Sequence, residues 1–145
     1  NGFRTGKMDY QRRIASLARR YSLQVIYAFG SRAGEARALV RGKRPRSAHP
    51  GSDLDIGIMP VRPLSVEDKV RIALFFEDFF GVPRVDVVSL PEAPSALAEE
   101  IVSGEVLFAR SEKIEADLQL YHLRRAADLR PFELERARLV LGEAK

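Results

Sequence analysis

The chain has 145 residues, of which 46% are hydrophobic and 30% charged, and its formal net charge is +4. This balance is typical of one globular domain with a sizeable core and excludes a disordered chain. The sequence contains no cysteine and only two histidines, which excludes a disulfide framework, a thiolate metal site and a histidine-rich metal cluster. With no long apolar segment and no signal peptide, we expect a cytoplasmic protein that does not contact a membrane.

Hydrophobic periodicity and chain breakers predict the elements in chain order. We expect helices over residues 9–21, 65–80, 94–103, 112–129 and 132–141, and strands over residues 25–29, 53–59, 85–88 and 106–109. This order predicts an α/β (α+β) fold with a small, partly antiparallel sheet flanked by helices and with helices at the C-terminal end. We expect residues 1–7 to be foreign to the natural chain, so that a single domain covers residues 8–145.

The positive charge is concentrated in one segment. No acidic residue lies between Ala36 and Ser52, but five basic residues do, and without them the net charge of +4 would become −1. Glycines and prolines in this stretch predict a basic loop insertion over residues 36–51. The loop either is simply solvated or contacts a phosphate or an acidic partner. It contains no aromatic residue, so a stacking platform for nucleic acid, and direct nucleic-acid binding, are not expected.

The first predicted strand ends abruptly at Gly30-Ser31. Glycine breaks strands and serine caps helices, so an ordinary turn is one interpretation. The other is a phosphate cradle, in which Gly30 allows a close approach and Ser31 meets phosphate oxygens through its amide and hydroxyl groups. The two residues alone do not decide between these interpretations.

Three aspartates interrupt predicted apolar strands. Asp53 and Asp55 alternate with apolar residues, so both project from one face, and Asp86 lies in a β-branched run. Taken singly, such residues are usually ordinary strand positions. Together they repel one another unless a cation neutralises them, and Mg²⁺ prefers oxygen ligands of this kind. If the strand of Asp86 lies beside residues 53–59, the three carboxylates suit two metal ions about 3.5–4 Å apart, as in phosphoryl transfer.

These motifs resemble a known family. The elements Gly30-Ser31, Ser52-Asp53-Leu54-Asp55 and Val85-Asp86-Val87-Val88 resemble the nucleotidyltransferase superfamily that includes DNA polymerase beta. The small size and the sequence after Val85 are similar to the minimal nucleotidyltransferases, and the resemblance covers most of residues 10–129. The spacer between Ser31 and Asp53 is longer than is usual in the family because it contains the basic segment.

The resemblance implies a role for each motif. Asp53, Asp55 and Asp86 would be the catalytic residues and hold the two Mg²⁺ ions, with Asp86 also helping to deprotonate the acceptor hydroxyl. Gly30, Ser31 and Ser52 would bind the nucleotide. Such minimal nucleotidyltransferases are typically antitoxins that inactivate a HEPN-type ribonuclease toxin by transferring AMP from ATP to a tyrosine. The alternatives are an aminoglycoside-type small-molecule adenylyltransferase and a non-catalytic antitoxin that blocks its toxin by contact.

Overall fold

The computed structural model describes residues 2–42 and 53–142, and within these ranges it describes side chains from residue 9 onward. The α-helices are α1 (Gly2–Tyr21), α2 (Ala33–Val40), α3 (Val66–Phe80), α4 (Ser95–Val102) and α5 (Glu112–Leu141). The strands are β1 (Leu23–Phe29), β2 (Leu54–Pro60), β3 (Val85–Ser89) and β4 (Glu105–Ala109). A 3₁₀ turn (Leu90–Glu92) connects β3 to α4.

The strands form one mixed sheet in the order β3-β2-β1-β4. Strand β1 is antiparallel to both of its neighbours, whereas β2 and β3 run parallel. Strands β1 and β2 pair with each other, and the predicted mixed α/β fold is confirmed. The parallel β2–β3 pair brings the start of β2 and the start of β3 to the same edge of the sheet.

Helices cover both faces of the sheet. Strand residues alternate between the faces, so β1 contributes Ile26 and Ala28 to one core and Val25, Tyr27 and Phe29 to the other. The first core also contains buried residues from α1, α2 and α3, and the second contains buried residues from the 3₁₀ turn and α4. Because helices cover most of both faces, a charged side chain in a central strand reaches solvent most readily near an end of the sheet.

Local signals in the sequence fix the ends of α3. The Ser65 hydroxyl accepts a hydrogen bond from the amide of Asp68 at 3.0 Å, as expected for an N-cap. Gly81 ends the helix in the left-handed conformation at φ 65°. Within the helix, Ile72, Phe76 and Phe79 are buried. The predicted helix 65–80 is therefore confirmed almost to the residue.

Two expectations were wrong. Residues 33–40 form helix α2, so the first part of the predicted basic loop is helical. The rest of the predicted loop, residues 43–52, lies outside the described residues; it includes His49, Ser52 and three of the five basic side chains. The predicted break at Arg130-Pro131 is also absent, because α5 continues through Pro131 as one helix of 30 residues. Residues 130–141 of α5 are exposed, so losing one backbone hydrogen bond there disturbs no packing.

No helix in the described ranges is both long and apolar enough to span a bilayer.

Candidate active site

Asp55 and Asp86 occupy matching positions on neighbouring strands. In the parallel β2–β3 pair, Asp55 is the register partner of Asp86, one step beyond the Leu54–Val85 pair. Neighbouring strands are about 4.8 Å apart, so both carboxylates leave the sheet at the same place. The structure therefore brings together the two aspartates that the sequence placed in separate strands.

Backbone contacts hold the two strand starts together. The amide of Leu54 donates to the carbonyl oxygen of Arg84 at 3.2 Å, and the amide of Val85 donates to the Glu77 carboxylate at 3.1 Å. Glu77 belongs to α3, so the helix anchors the backbone immediately before Asp86. These contacts fix the backbone of both aspartates independently of any ligand.

The third aspartate meets Asp86 through an arginine. The Nε atom of Arg84 lies 3.6 Å from Asp53 Oδ2 and 3.3 Å from Asp86 Oδ1. The contact with Asp86 is a hydrogen bond that Arg84 donates. One guanidinium group therefore partly neutralises two of the three predicted carboxylates, and it does not contact Asp55 in these ion pairs.

The turn after β1 closes directly on Asp55. Gly30 has a φ of +78°, and a Cβ atom there would lie 2.7 Å from Asp55 Oδ2. Glycine is needed on both counts, since an L side chain strains at this φ and would also collide with the carboxylate. Phe29, the last residue of β1, pairs with Asp55 in the antiparallel β1–β2 ladder. The predicted phosphate turn and the predicted metal ligand are thus immediate neighbours.

Ser31 lies at the entrance to helix α2. It is exposed, and the turn around it is closed by a hydrogen bond from the amide of Ala33 to the carbonyl oxygen of Gly30 at 3.3 Å. The N-terminal end of α2, which carries the positive end of the helix dipole, follows directly. Helix α2 begins directly after the Gly-Ser turn, with Arg32 at the N-cap.

Asp55 has the most perturbed electrostatic environment of this group. Burial raises the pKa of Asp55 above its ordinary value of 3.8, and neighbouring carboxylates raise it further. These carboxylates belong to Asp86, Asp53 and Glu100 in decreasing order of effect. Glu100 comes from α4, which packs so closely on β2 that a Cβ atom at Gly57 would collide with Ile101 Cγ2.

Sequence reasoning missed Arg84 and Glu100. Arg84 precedes Asp86 by two residues, a spacing that places both side chains on one side of an extended segment. This spacing alone could have indicated a contact between Arg84 and Asp86. Glu100 had no comparable signal, because its approach depends on how α4 packs across the sheet.

The donor set suits a hard divalent cation, since it consists of carboxylates with no sulfur ligand. In the ranges that the structure describes, no three histidine or acidic side chains are arranged to coordinate an ion. Asp53 and Asp86 contact Arg84 instead. The residues therefore fit a Mg²⁺ site in chemical type, while the side chains of Asp53 and Asp86 contact the guanidinium of Arg84.

A glycine turn closing on strand carboxylates, in a mixed sheet of this order, defines a nucleotidyltransferase fold. The chain belongs to the polymerase beta nucleotidyltransferase family, because residues 12–113 match the family described as "Polymerase beta, Nucleotidyltransferase". This confirms the family resemblance and the fold predicted from the sequence. A comparison with curated proteins gives no significant match.

Several solved structures share the fold. One is a toxin–antitoxin with AMP-PNP, with 20% identity, a TM-score of 0.70, and coverage of 90% of this chain and 98% of that chain. Another is the MNT antitoxin complex with a tri-AMPylated HEPN toxin from Shewanella oneidensis, with 18% identity, a TM-score of 0.66, and coverage of 93% and 98%. The toxin–antitoxin MntA–HepT also matches, with 18% identity, a TM-score of 0.66, and coverage of 92% and 98%. At these identities the likeness shows a common fold.

Proposed function

We propose that this protein is a Mg²⁺-dependent nucleotidyltransferase that transfers AMP from ATP to a tyrosine hydroxyl of a HEPN-type toxin, and so acts as its antitoxin. The observation that carries this proposal is the register of Asp55 with Asp86 beside the Gly30 turn. This arrangement combines a place for phosphate oxygens with carboxylates that suit a divalent cation. The long apolar stretches of both strands would not otherwise favour acidic residues at these positions.

The proposed step is an in-line displacement at the α-phosphorus of ATP. The acceptor oxygen forms a bond to the α-phosphorus, the bond to the bridging oxygen of the β-phosphate breaks, and pyrophosphate leaves. Asp86 takes the proton of the acceptor hydroxyl as a general base. Gly30 and Ser31 hold the phosphates at the start of α2, where backbone amides and the helix dipole favour anions.

The metal site would be formed by Asp53, Asp55 and Asp86. Bound Mg²⁺ would supply charge neutralisation for the triphosphate and for the charge that develops on the leaving pyrophosphate. Without it, burial and, to a smaller extent, the neighbouring carboxylates raise the pKa of Asp55. Metal binding would therefore favour the ionised form of Asp55 that coordinates the cation.

The choice of partner is supported by the structural relatives. Two of them are complexes of a toxin with its antitoxin, one of those with a tri-AMPylated HEPN toxin, and a third is a toxin–antitoxin with AMP-PNP. This chain covers nearly the whole length of each related chain.

Calorimetric titration with ATP tests the site. We expect strong ATP binding only with Mg²⁺ or Mn²⁺ present, and we expect Asp53→Asn combined with Asp55→Asn to remove this dependence, because amides are poor ligands for hard cations. Asp78→Asn, an exposed carboxylate on α3, is the matched control and should leave binding unchanged. Unaltered metal-dependent binding in the double variant would refute the site assignment.

Transfer of label from α-³²P-ATP tests the reaction. A HEPN toxin encoded beside this protein should become labelled on tyrosine, and Asp86→Asn should reduce labelling by about 10²–10⁴, the usual range for a general base. Wild-type labelling in Asp86→Asn would make Asp86 a structural residue. Toxin inhibition without labelling would favour the non-catalytic antitoxin, and labelling of an aminoglycoside alone would favour the small-molecule enzyme.

A further inference from the structure

Arg84 has a hydrogen-bonded backbone and an exposed side chain. Its carbonyl oxygen accepts the hydrogen bond from the Leu54 amide, which ties the residue to the start of both β2 and β3. Its side chain is 68% exposed, so apart from its two carboxylate contacts much of it faces solvent. A residue built in this way can deliver or withdraw a positive charge without disturbing the sheet.

The guanidinium of Arg84 contacts two of the three aspartates. Asp53 and Asp86 both contact its Nε atom, at 3.6 and 3.3 Å. Asp55 is not part of these ion pairs. The guanidinium therefore compensates the outer two aspartates and leaves the inner one uncompensated.

The same carboxylates cannot serve Arg84 and a divalent cation equally well. A cation that draws Asp53 and Asp86 toward Asp55 must compete with the guanidinium for their oxygens. Resting on the proposed metal site, we propose that Arg84 is an internal counter-ion, which occupies Asp53 and Asp86 in the metal-free protein and is displaced when the divalent cation binds. It is a positioning residue that lowers the affinity of the site for metal alone.

This competition has a consequence for the order of binding. Metal that arrives with the nucleotide brings phosphate oxygens, which give the displaced guanidinium a new anionic neighbour. Metal that arrives alone offers no such partner. Arg84 therefore favours loading of the site by the metal–nucleotide complex over loading by the free ion.

The test measures Mn²⁺ binding to the full chain without nucleotide, by electron paramagnetic resonance of the free ion. Exposed ion pairs contribute little each, so replacing Arg84 by glutamine should tighten Mn²⁺ binding by about three- to tenfold. Arg84→Lys should give an intermediate affinity, because it retains the charge but lacks the forked guanidinium. Circular dichroism in EDTA verifies that each variant is folded.

Arg71→Gln is the matched control. Arg71 is 60% exposed and contacts Glu67 and Asp68 on α3 rather than the three aspartates, so its loss should leave Mn²⁺ binding unchanged. Equal or weaker Mn²⁺ binding by Arg84→Gln than by the unmodified protein would overturn the inference alone. Absence of Mn²⁺ binding by the unmodified protein, with or without ATP, would overturn the proposed function and the inference together.

Discussion

Asp55 and Asp86 face each other across the parallel β2–β3 pair, one residue beyond a buried apolar pair. Like charges directly opposite each other in a sheet are destabilising, so this pair lowers the stability of the ligand-free protein. Burial raises the pKa of Asp55, and the neighbouring carboxylate of Asp86 raises it further, so the ionised form of Asp55 is disfavoured in the fold. The site therefore lowers the stability of the fold, and this loss of stability can be measured.

The first prediction concerns Asp55 and pH. Because its pKa is raised in the folded state, the folded protein binds the proton more tightly than the unfolded chain, and stability falls as pH rises from 3.8 through the raised pKa. Asp55→Asn should therefore raise Tm in EDTA at neutral pH, and the gain should shrink as the pH falls toward 3.8. Asp78→Asn on α3 serves as the control. A gain that does not depend on pH would contradict this account.

The second prediction concerns Gly30. Gly30→Ala places a methyl group 2.7 Å from Asp55 Oδ2 at a φ of +78°, so it should destabilise the protein by about 1–3 kcal/mol and displace the carboxylate. Urea unfolding and metal-dependent ATP binding measure the two effects. Gly34→Ala is the control, because no atom of the described residues lies within 4 Å of its Cβ position and alanine favours the helix.

The outcome of the glycine pair is specific. Gly34→Ala should be neutral or stabilise by up to about 1 kcal/mol, with ATP binding retained. Equal losses in the two variants would mean that the close approach of Gly30 to Asp55 has no special role.

Much of this fold follows from local signals in the sequence. Ser65 and Gly81 set the ends of α3, and the alternation over residues 53–59 predicted a strand, which begins in the structure at Leu54. Helix α2 was not predicted, because the glycines and prolines that follow it indicate a loop. Ala33–Val40 is nevertheless rich in helix-forming residues. The parallel pairing of β2 with β3, on which the site depends, was only a conditional expectation, because strand partners are chosen by contacts far apart in sequence.

The C-terminal part was harder to predict for a different reason. Proline usually ends a helix, but at Pro131 the helix is exposed and continues. On the same helix, His122 and Ala126 are buried and Tyr121 is exposed, so the packed face of α5 runs through Ile114, Leu118, His122 and Ala126.

The third prediction concerns the close contact of α4 with β2. Gly57→Ala forces a Cβ atom onto Ile101 Cγ2, and overpacking of this kind costs about 1–3 kcal/mol. Adding Ile101→Ala removes the colliding atoms, so the double variant should lose less stability than the sum of the single variants. Urea denaturation of all four proteins measures the coupling. Additive losses would mean that α4 shifts freely along the sheet.

The fourth prediction concerns His122. Its Nδ1 atom is buried without a hydrogen-bond partner in the described structure, and burial, followed by the charge of Arg125, lowers the pKa of His122 from 6.5. The folded state therefore binds the proton less tightly than the unfolded chain, and stability is lost as pH falls below 6.5 through the lowered pKa.

His122→Leu should remove this loss. Leucine introduces an apolar side chain of suitable size and removes the buried nitrogen that has no hydrogen-bond partner. The variant should therefore match or exceed the wild type in stability at acidic pH. The measurement is the urea midpoint at about pH 5 and about pH 7.5, either side of the ordinary histidine pKa. An unchanged pH dependence in the variant would assign the acid sensitivity to other groups.

The pairing of Phe29 with Asp55 also governs how this chain can vary. The segment between these two residues leaves the sheet and returns to it at the same rung of one antiparallel ladder, so its two ends are held together whatever lies between. Doubling the length of such a connection costs only about 0.6 kcal/mol of closure entropy. The Gly30 turn and the buried residues of α2 are fixed by the site and the core, so residues can be gained or lost between Val40 and Leu54 with little effect on Asp55. That stretch is the place where a new recognition element can be grafted onto the domain while its chemistry is left intact.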